Sequence, residues 1–374
     1  MHLRRRPQVL TVGGALVAMA LSLAACSSSS SSTPPSGSSS SGSGSAPAGG
    51  SSSSAAAASG TINAAGSTFQ TNFQQTAIQA FKQSNPSITV NYDPVGSGTG
   101  RSDLYKNTVL FAGSDSPIPS KEASEVPSGK TVLYFPVQIG PIAIAYNLPG
   151  IKGLKLDPAV LAQIFQGQIT SWNNSAITAL NPGVSLPSTA ITLAVRSDSS
   201  GTTQNFSDYL VMAAGSAWKL GTSSTIKWPS TAHEANGGNG VAQAVKSTSG
   251  AIGYVDFSTA TASGLEAASI KNSAGQYVAP SSSAATAAAS QVTPKSDLTF
   301  VTVDQGGASS YPITYQSWDL VYAKQPNAND ANLLKAYLGY LLGQGQSLLS
   351  QLNLAPLPAS IDSMAKAQLS QITS

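Results

Sequence analysis

The stretch Arg196-Ser197-Asp198-Ser199-Ser200-Gly201-Thr202 decides how this chain is interpreted. It follows an apolar run, residues 191–195, that predicts a strand, and it precedes residues 203–212, which predict a helix. A strand, a Ser/Gly/Thr turn and a helix start place backbone N–H groups at the positive end of a helix dipole. The hydroxyls of Ser200 and Thr202 and the guanidinium of Arg196 add donors that suit a tetrahedral oxyanion. We predict that this loop binds a small anion; the alternative is a Ser-rich turn with a surface ion pair between Arg196 and Asp198.

Two more turns share this chemistry. Residues 66–68 and 96–100 are rich in Gly, Ser and Thr, and each stands between a predicted strand and a predicted helix. Strands and helices alternate along the chain, which predicts an α/β fold with mainly parallel sheets. Ligands of such folds bind beyond the carboxyl ends of the strands, where helices begin. The three turns could therefore converge on one anion.

Hydrophobic periodicity and capping residues predict the other elements. Strands are expected at residues 61–65, 88–92, 111–115, 251–257, 298–303 and 318–323, and helices at 69–81, 157–166, 238–245, 328–352 and 361–372. A further helix is expected to start near Arg101. Residues 131–138 and 142–147 predict two strands that Gly140-Pro141 interrupts, and the Ser/Ala-rich residues 280–294 predict a surface insertion.

The charge balance excludes several classes of partner. The formal net charge of +3 comes from Arg4, Arg5 and Arg6; the rest of the chain has 16 basic and 16 acidic residues. A chain without net positive charge lacks the electrostatic attraction that nucleic-acid-binding proteins and proteins of anionic membrane surfaces use. Any anion must then be held by a local site.

Cys26 is the only cysteine, which excludes an intramolecular disulfide and a Cys/His zinc site. Residues 1–26 have the basic start and apolar stretch of an export signal, and they end in Leu23-Ala24-Ala25-Cys26, which resembles the bacterial lipobox. We predict a lipoprotein signal peptide with lipidation at Cys26. Residues 27–60 are almost entirely Ser, Gly, Ala and Pro, and they predict a disordered tether.

The electrostatic argument for a site depends on the scarce arginines and on one aspartate. After Cys26 the chain has 14 lysines but only two arginines, Arg101 and Arg196. An arginine beside a donor-rich loop is therefore expected to bind an anion with its planar guanidinium. Arg101 follows a Gly-rich turn, and a solvated helix position is its alternative. Asp115 ends a strand, where it either caps a turn or accepts a hydrogen bond from a protonated anion. A buried carboxylate would repel sulfate, which has no proton to donate, and so would select phosphate.

The sequence indicates no catalytic residue, cofactor or metal. Ser128-Gly129-Lys130-Thr131 looks like the end of a P-loop, but Ser124 occupies the first glycine position. A Ser/His/Asp triad would have to use His233, which lies in a predicted loop. The chain is therefore predicted not to be an enzyme. The four tryptophans are expected to pack in the core or at lobe edges rather than to form a sugar platform.

Together the motifs resemble a known family. They are Ala65-Gly66-Ser67-Thr68-Phe69, Gly96-Ser97-Gly98, Gly113-Ser114-Asp115-Ser116-Pro117, residues 165–173, Arg196-x-Asp198-x-Ser200-Gly201-Thr202, residues 250–255 and residues 311–314. In this order and spacing, the chain from about residue 61 to the C-terminus resembles the substrate-binding protein of Pst-type phosphate ABC transporters.

The resemblance implies a two-lobed, periplasmic-binding-protein-like (type II) α/β fold with a hinge between the lobes. Lobe 1 would comprise residues 61–136 plus 304–374, and lobe 2 residues 137–303. The two lobes would close over one inorganic phosphate. The protein would be extracytoplasmic, anchored to the membrane only through its lipid, and monomeric. It would deliver phosphate to permease subunits with a cytoplasmic ATPase.

The resemblance also implies which residues bind phosphate. They are Thr68, Phe69 through its backbone N–H, Ser97, Asp115, Arg196, Ser200, Gly201 and Thr202, with Asp198 holding Arg196 in place. Arg101 departs from the family pattern and would either add charge near the cleft or face solvent. The alternatives are a receptor of the same fold for another tetrahedral oxyanion, a secreted phosphatase or a surface interaction protein.

Overall fold

The computed structural model describes residues 58–374. The predicted signal peptide with Cys26, and residues 27–57 of the predicted tether, lie outside the described residues. Residue 60, the last of the predicted tether, is already the first residue of a strand.

The N-terminal part follows the predicted alternation of strands and helices. Its elements are β1 (Gly60–Gly66), α1 (Thr71–Ser84), β2 (Ile88–Asp93), α2 (Ser97–Tyr105), β3 (Phe111–Ser114) and β4 (Val132–Tyr146). Helix α1 buries Phe73, Ala77 and Phe81, which recur every four residues and so share one face. Helix α2 starts at Ser97, four residues before the predicted start, because Gly96 adopts a positive φ of 94° and redirects the chain there.

The middle of the chain supplies most of the second half of the fold. Its elements are β5 (Lys155–Leu156), α3 (Pro158–Phe165), α4 (Ser175–Leu180), β6 (Thr192–Arg196), α5 (Gly201–Ala214), β7 (His233–Ala235), α6 (Gly237–Ser247), β8 (Ala251–Asp256), α7 (Phe257–Ala262), β9 (Glu266–Ala267), β10 (Ser269–Lys271) and β11 (Tyr277–Val278). Helix α3 begins as predicted, with Asp157 accepting from the Val160 N–H and Pro158 in the first turn.

The C-terminal part contains α8 (Ser282–Ala289), β12 (Thr314–Tyr322), α9 (Ala328–Leu342) and α10 (Ala359–Gln368). The prediction of one helix over 328–352 is wrong, because Gly343 takes a non-helical backbone (φ −104°, ψ −107°) and only short 3-10 turns follow it. None of the helices in residues 58–374 is long and apolar enough to span a membrane.

The main sheet has the strand order β2-β1-β3-β12-β4-β8-β6-β7, and β9 pairs with β4. The first strand group (β1, β2, β3) and the second strand group (β6, β7, β8) are each parallel. Strands β12 and β4 lie between the groups and pair antiparallel with their neighbours. The expected mainly parallel sheet is therefore found within each group but not at the centre, where the chain crosses from one group to the other and returns.

Strand β4 runs without interruption through Gly140 and Pro141, so the predicted break is wrong. A Cβ atom at Gly140 would lie 2.6 Å from the Leu354 side chain and 2.9 Å from the Phe69 ring, so glycine permits close packing here. Pro141 pairs with Thr314, the first residue of β12, and Ile142 begins the pairing of β4 with β8. The missing proline N–H thus falls where the strand changes partner.

Two other predictions fail for reasons of tertiary packing. Residues 298–303 do not form a strand. Leu298 has a positive φ of 64°, and the Thr302 N–H donates to the side chain of Gln316 rather than to a backbone carbonyl of a neighbouring strand. Residues 280–294 are not a surface insertion, because α8 buries Ala284, Ala285, Ala288 and Ala289 in the core. Alanine has a short side chain, and it lets this helix approach the sheet closely.

Candidate functional site

The candidate site lies where strands of both groups end and the chain turns. Ser67 and Thr68 follow β1, and Asp115 follows β3 directly. Arg196 is the last residue of β6, and Gly201 is the first residue of α5. These are the carboxyl ends of parallel strands, the position at which α/β folds bind their ligands.

Asp115 is a buried carboxylate that three hydroxyl groups surround. Its side chain is 1% exposed. Oδ2 accepts from Ser67 Oγ at 2.6 Å and from Ser97 Oγ at 3.4 Å, and Oδ1 accepts from Ser317 Oγ at 2.6 Å. Burial raises the pKa of Asp115 to about 6, although these hydroxyls and the charge of Arg196 act to lower it. The group is therefore mainly ionised at neutral pH and can only accept hydrogen bonds.

Arg196 is a buried guanidinium that Asp198 holds from one side. Nε donates to Asp198 Oδ1 at 2.7 Å, and Nη2 forms an ion pair with Oδ2. Burial acts to lower the pKa of Arg196, but Asp198 outweighs it and the pKa is raised. Asp198 also accepts from the Gly237 N–H at 3.0 Å, at the start of α6. Because Asp198 engages Nε and Nη2, the Nη1 side of Arg196 remains for another acceptor.

The first turn of α5 brings backbone N–H groups next to Asp115. Ser200 caps the helix, since its Oγ accepts from the Thr203 N–H at 3.1 Å. Gly201 packs so closely that a Cβ atom there would lie 2.5 Å from Ser97 Oγ and 2.7 Å from Asp115 Oδ2. Ser200, Gly201 and Thr202 are all buried. The positive end of the helix thus meets the carboxylate at a distance that only glycine allows.

The other predicted residues lie at the same place. Thr68 is half-buried, and its Oγ1 accepts from the Gly238 N–H, at the start of α6, at 3.3 Å. Ser97 Oγ accepts from the Asp115 N–H at 3.2 Å. The Phe69 N–H, expected to face a ligand, donates to Ser67 Oγ at 3.0 Å. The structure thus brings all eight predicted residues together, with the Phe69 N–H already engaged within the chain.

Several residues of the site have no signal in the sequence. Ser67 stands in a quoted motif, but its bond to Asp115 was not predicted. Ser317 reaches Asp115 from 202 residues away, and Gln316 Nε2 donates to the Asp115 carbonyl at 3.3 Å. Asn205 Nδ2 donates to the same carbonyl at 2.7 Å and to the Gly201 carbonyl at 2.9 Å. These contacts depend on how α5 and β12 pack, which local sequence does not reveal.

Arg101 neither faces solvent nor lies free in the cleft. It is 0% exposed, and its Nε and Nη2 bind the two carboxylate oxygens of Glu122 at 2.8 and 2.9 Å. Its Nη1 donates to Ser114 Oγ at 2.9 Å. Arg101 therefore fixes the segment that carries Asp115. Of the two alternatives, the solvent-facing position is wrong, and the charge of Arg101 does lie next to that segment, paired with Glu122.

Ionisable residues elsewhere do not form a recognisable metal centre. Within residues 58–374, no group of three or more His, Cys, Asp or Glu side chains could hold a metal ion. His233 is exposed in β7, on the other side of β6 from β8.

Comparison with known proteins gives the family. A model of the PBP superfamily domain matches residues 51–344. Phosphate-binding protein PstS 3 of Mycobacterium leprae (strain TN) is 39% identical over 312 residues, which cover 81% of this chain and 84% of the relative. Phosphate-binding protein PstS of Haemophilus influenzae is 33% identical over 316 residues, 83% of this chain and 92% of the relative.

Solved structures support the fold. A high-affinity periplasmic phosphate-binding protein (PfluDING) bound with phosphate superposes with a TM-score of 0.70 at 22% identity, over 83% of this chain and 94% of that one. A phosphate-binding protein from Stenotrophomonas maltophilia gives 0.66 at 20% identity, over 82% and 93%. Since the family model covers most of the chain and relatives reach 33–39% identity, this chain belongs to the PstS family of phosphate-binding proteins, within the PBP superfamily.

Proposed function

We propose that this protein is an extracytoplasmic receptor that binds inorganic phosphate and delivers it to the permease of a Pst-type ABC transporter. One observation supports the proposal above all: an ionised, buried carboxylate, Asp115, lies against the positive end of a helix in a site that also contains a buried guanidinium. Donors alone would suit any oxyanion. The carboxylate requires a ligand that carries a proton.

The electrostatics of this arrangement favour phosphate over sulfate. A phosphate that retains a proton donates it to Asp115, so the two negative groups share a hydrogen bond. A sulfate oxygen would face the same carboxylate with no hydrogen between them. Sites built to hydrogen-bond one group reject the analogue that lacks it by about 10⁴-fold or more.

We assign the individual residues roles that their geometry permits. In this proposal Arg196 uses its Nη1 side to bind phosphate, while Asp198 keeps the guanidinium fixed. Gly201 and Thr202 donate from the first turn of α5, and the Ser200, Thr202, Ser97 and Thr68 hydroxyls complete the donor set. For the Phe69 N–H to join them, Ser67 would have to release it, and the Ser97 proton would have to turn from Asp115 to the ligand.

Binding by closure of two lobes suits a sheet whose central strands cross between two groups. We assign residues 61–136 plus 304–374 to lobe 1 and 137–303 to lobe 2. Strand β4 pairs with β12 up to Pro141 and with β8 from Ile142, which supports a crossing along this strand. Closure onto a ligand that contacts both lobes links affinity to a conformational signal for the permease.

The proposal includes attachment of the protein to the membrane surface. Cleavage before Cys26 and acylation of its sulfur would leave the receptor anchored by lipid alone, with residues 27–60 as the spacer. The chain would act as a monomer, bind no nucleic acid, carry no cofactor and catalyse no reaction. Labelling cells with a fatty-acid analogue tests the anchor: the wild-type chain should be labelled and the Cys26→Ser variant should not.

Calorimetric titration of the purified protein tests the binding function. We expect phosphate to bind, arsenate to compete with it, and sulfate to give no heat at the same concentrations. Equal binding of sulfate would favour a receptor for another oxyanion and would refute the role given to Asp115. Release of phosphate from a phosphate ester, measured with and without divalent metal, would instead favour a phosphatase.

A further inference from the structure

Strand β12 places the phenol ring of Tyr315 next to the site. Tyr315 is its second residue and is 0% exposed. Its ring stacks on the ring of Phe69, with centroids 4.0 Å apart and an interplanar angle of 27°. Residues two apart on a strand share a face, and Ser317, two residues on, donates to Asp115 Oδ1. Tyr315 therefore points to the same side of the sheet as the group that binds Asp115.

The hydroxyl of Tyr315 has no hydrogen-bond partner among residues 58–374, although it is fully buried. Two buried tyrosines nearby are satisfied, whereas Tyr209 in α5 also lacks a partner in this part of the chain but has Asp157 and Asp304, not the anion residues, as its charged neighbours. Tyr311, four residues earlier, donates to the Ile142 carbonyl at 2.8 Å, and Tyr254 bonds with Thr203 Oγ1 at 2.7 Å. Buried polar groups without a partner are rare in native proteins and call for a specific explanation.

The charged groups around this hydroxyl come from both strand groups. Burial raises the pKa of Tyr315 well above its ordinary value, and the negative charges of Asp115 and Asp256 act in the same direction. Thr202 and Arg196 act in the opposite direction. The phenol therefore stays protonated, and it lies beside Thr202 and among the other residues assigned to the anion, without a hydrogen bond of normal length and angle to any of them.

We propose that the Tyr315 hydroxyl is a further phosphate-binding group, which donates its proton to a phosphate oxygen in the closed cleft. This inference rests on the proposed function and adds a fifth segment, β12, to the four that carry the proposed phosphate-binding residues. The phenol is a neutral donor, so it stabilises any tetrahedral oxyanion and does not contribute to the choice between phosphate and sulfate. Affinity then depends on Tyr315, and selectivity depends on Asp115.

The test compares Tyr315→Phe with Tyr311→Phe by calorimetry with phosphate and arsenate, and by urea unfolding without ligand. Tyr315→Phe should weaken both anions about 10- to 100-fold, because a hydrogen bond to a charged group is lost. It should not lower the stability of the ligand-free protein, since the hydroxyl has no partner there. Tyr311→Phe removes a satisfied hydrogen bond, so it should lower stability and leave phosphate affinity unchanged.

Titration of the wild-type protein distinguishes a failure of the proposed function from a failure of the inference about Tyr315. If the wild-type protein does not bind phosphate, the proposed function fails. If it binds phosphate and Tyr315→Phe binds equally well, this inference is wrong and the proposed function stands. A loss of ligand-free stability in Tyr315→Phe similar to that of Tyr311→Phe would also overturn the inference, because the hydroxyl would then have a structural partner.

Discussion

Replacing Asp115 with Asn should make the ligand-free protein more stable and its anion site less selective. Asn has the shape of Asp but no charge, and its amide can donate as well as accept. The carboxylate is 1% exposed and accepts from Ser67, Ser97 and Ser317. These hydroxyls can turn to suit an amide, so the substitution removes a buried charge with little change of packing.

The gain in stability can be worked out from the pKa. Burial raises the pKa of Asp115 from 3.8 to about 6, and one pKa unit corresponds to about 1.36 kcal/mol. Ionised Asp115 therefore opposes folding by about 3 kcal/mol at pH 7. Because the folded state binds this proton more tightly than the unfolded state, the cost appears as the pH rises from about 4 to about 6. At pH 4 the side chain is mostly protonated in the folded state, and the cost is nearly absent.

We therefore expect Asp115→Asn to raise the free energy of unfolding by about 1–3 kcal/mol at pH 7, after allowing for weaker hydrogen bonds to the amide. At pH 4 the gain should be small. Urea unfolding of the ligand-free variant and wild type at both pH values measures this difference. A variant that is destabilised equally at both pH values would refute the reasoning, because the charge of Asp115 would then carry no net cost.

The same variant should change the response to sulfate. An amide at position 115 can donate to a sulfate oxygen, so the repulsion that excludes sulfate disappears. Calorimetry should show the preference for phosphate over sulfate falling by about 100-fold or more. Asp208→Asn is the matched control, because Asp208 is half-buried, has a raised pKa and accepts from Gln204 in α5. It should leave the preference unchanged; continued rejection of sulfate by Asp115→Asn would refute the assigned role.

Three other substitutions test the site and its support. Arg196→Met should weaken phosphate binding by about 2–5 kcal/mol, as expected for a buried charge that loses its partner, and unchanged affinity in calorimetry would exclude it from the site. Gly201→Ala should weaken binding by about 1–3 kcal/mol, because its Cβ would lie 2.6 Å from the Asp115 Cβ, across the two proposed lobes. Normal urea unfolding with reduced affinity is the expected pair of results, and wild-type affinity would contradict the close packing. Arg101→Met should lower the free energy of unfolding by about 3–5 kcal/mol, because Glu122 would lose its partner while its side chain is 14% exposed. A change below about 1 kcal/mol, the size expected for a surface pair, would show that this ion pair is solvated.

Local sequence sufficed for the parts of the site that depend on local conformation. The turn from Arg196 to Thr202 was predictable because a β-branched strand, a capping serine and a helix-forming run stand next to one another. The Asp198 partner of Arg196 is two residues away, so this ion pair follows from spacing. The alternation of strands and helices predicted mainly parallel pairing, which holds within each strand group but not at the centre of the sheet.

What the sequence did not reveal depends on distant packing. Arg101 and Glu122 are separated by 21 residues, and nothing in either stretch marks them as partners. Residues 298–303 have the composition of a strand, but their backbone forms hydrogen bonds with side chains of β12. Gly140-Pro141 predicts an interruption of the strand, although a strand that changes its pairing partner at this point accommodates both residues. In each case tertiary contacts override a correct local preference.

On the proposed function, the selectivity of the site also depends on this distant packing. Ser317 Oγ accepts from Gln70 Nε2 at 2.8 Å, so its single proton is directed to Asp115. Gln70 is oriented in turn by Gln74, whose Nε2 donates to Gln70 Oε1 at 2.9 Å and to Asp319 at 3.3 Å. This series favours the orientation in which Ser317 donates to Asp115 at 2.6 Å, with the Ser114 carbonyl at 3.4 Å as its other acceptor. Ionised Asp115 can only accept hydrogen bonds, so on the proposed function a ligand oxygen without a proton would face its charge unpaired.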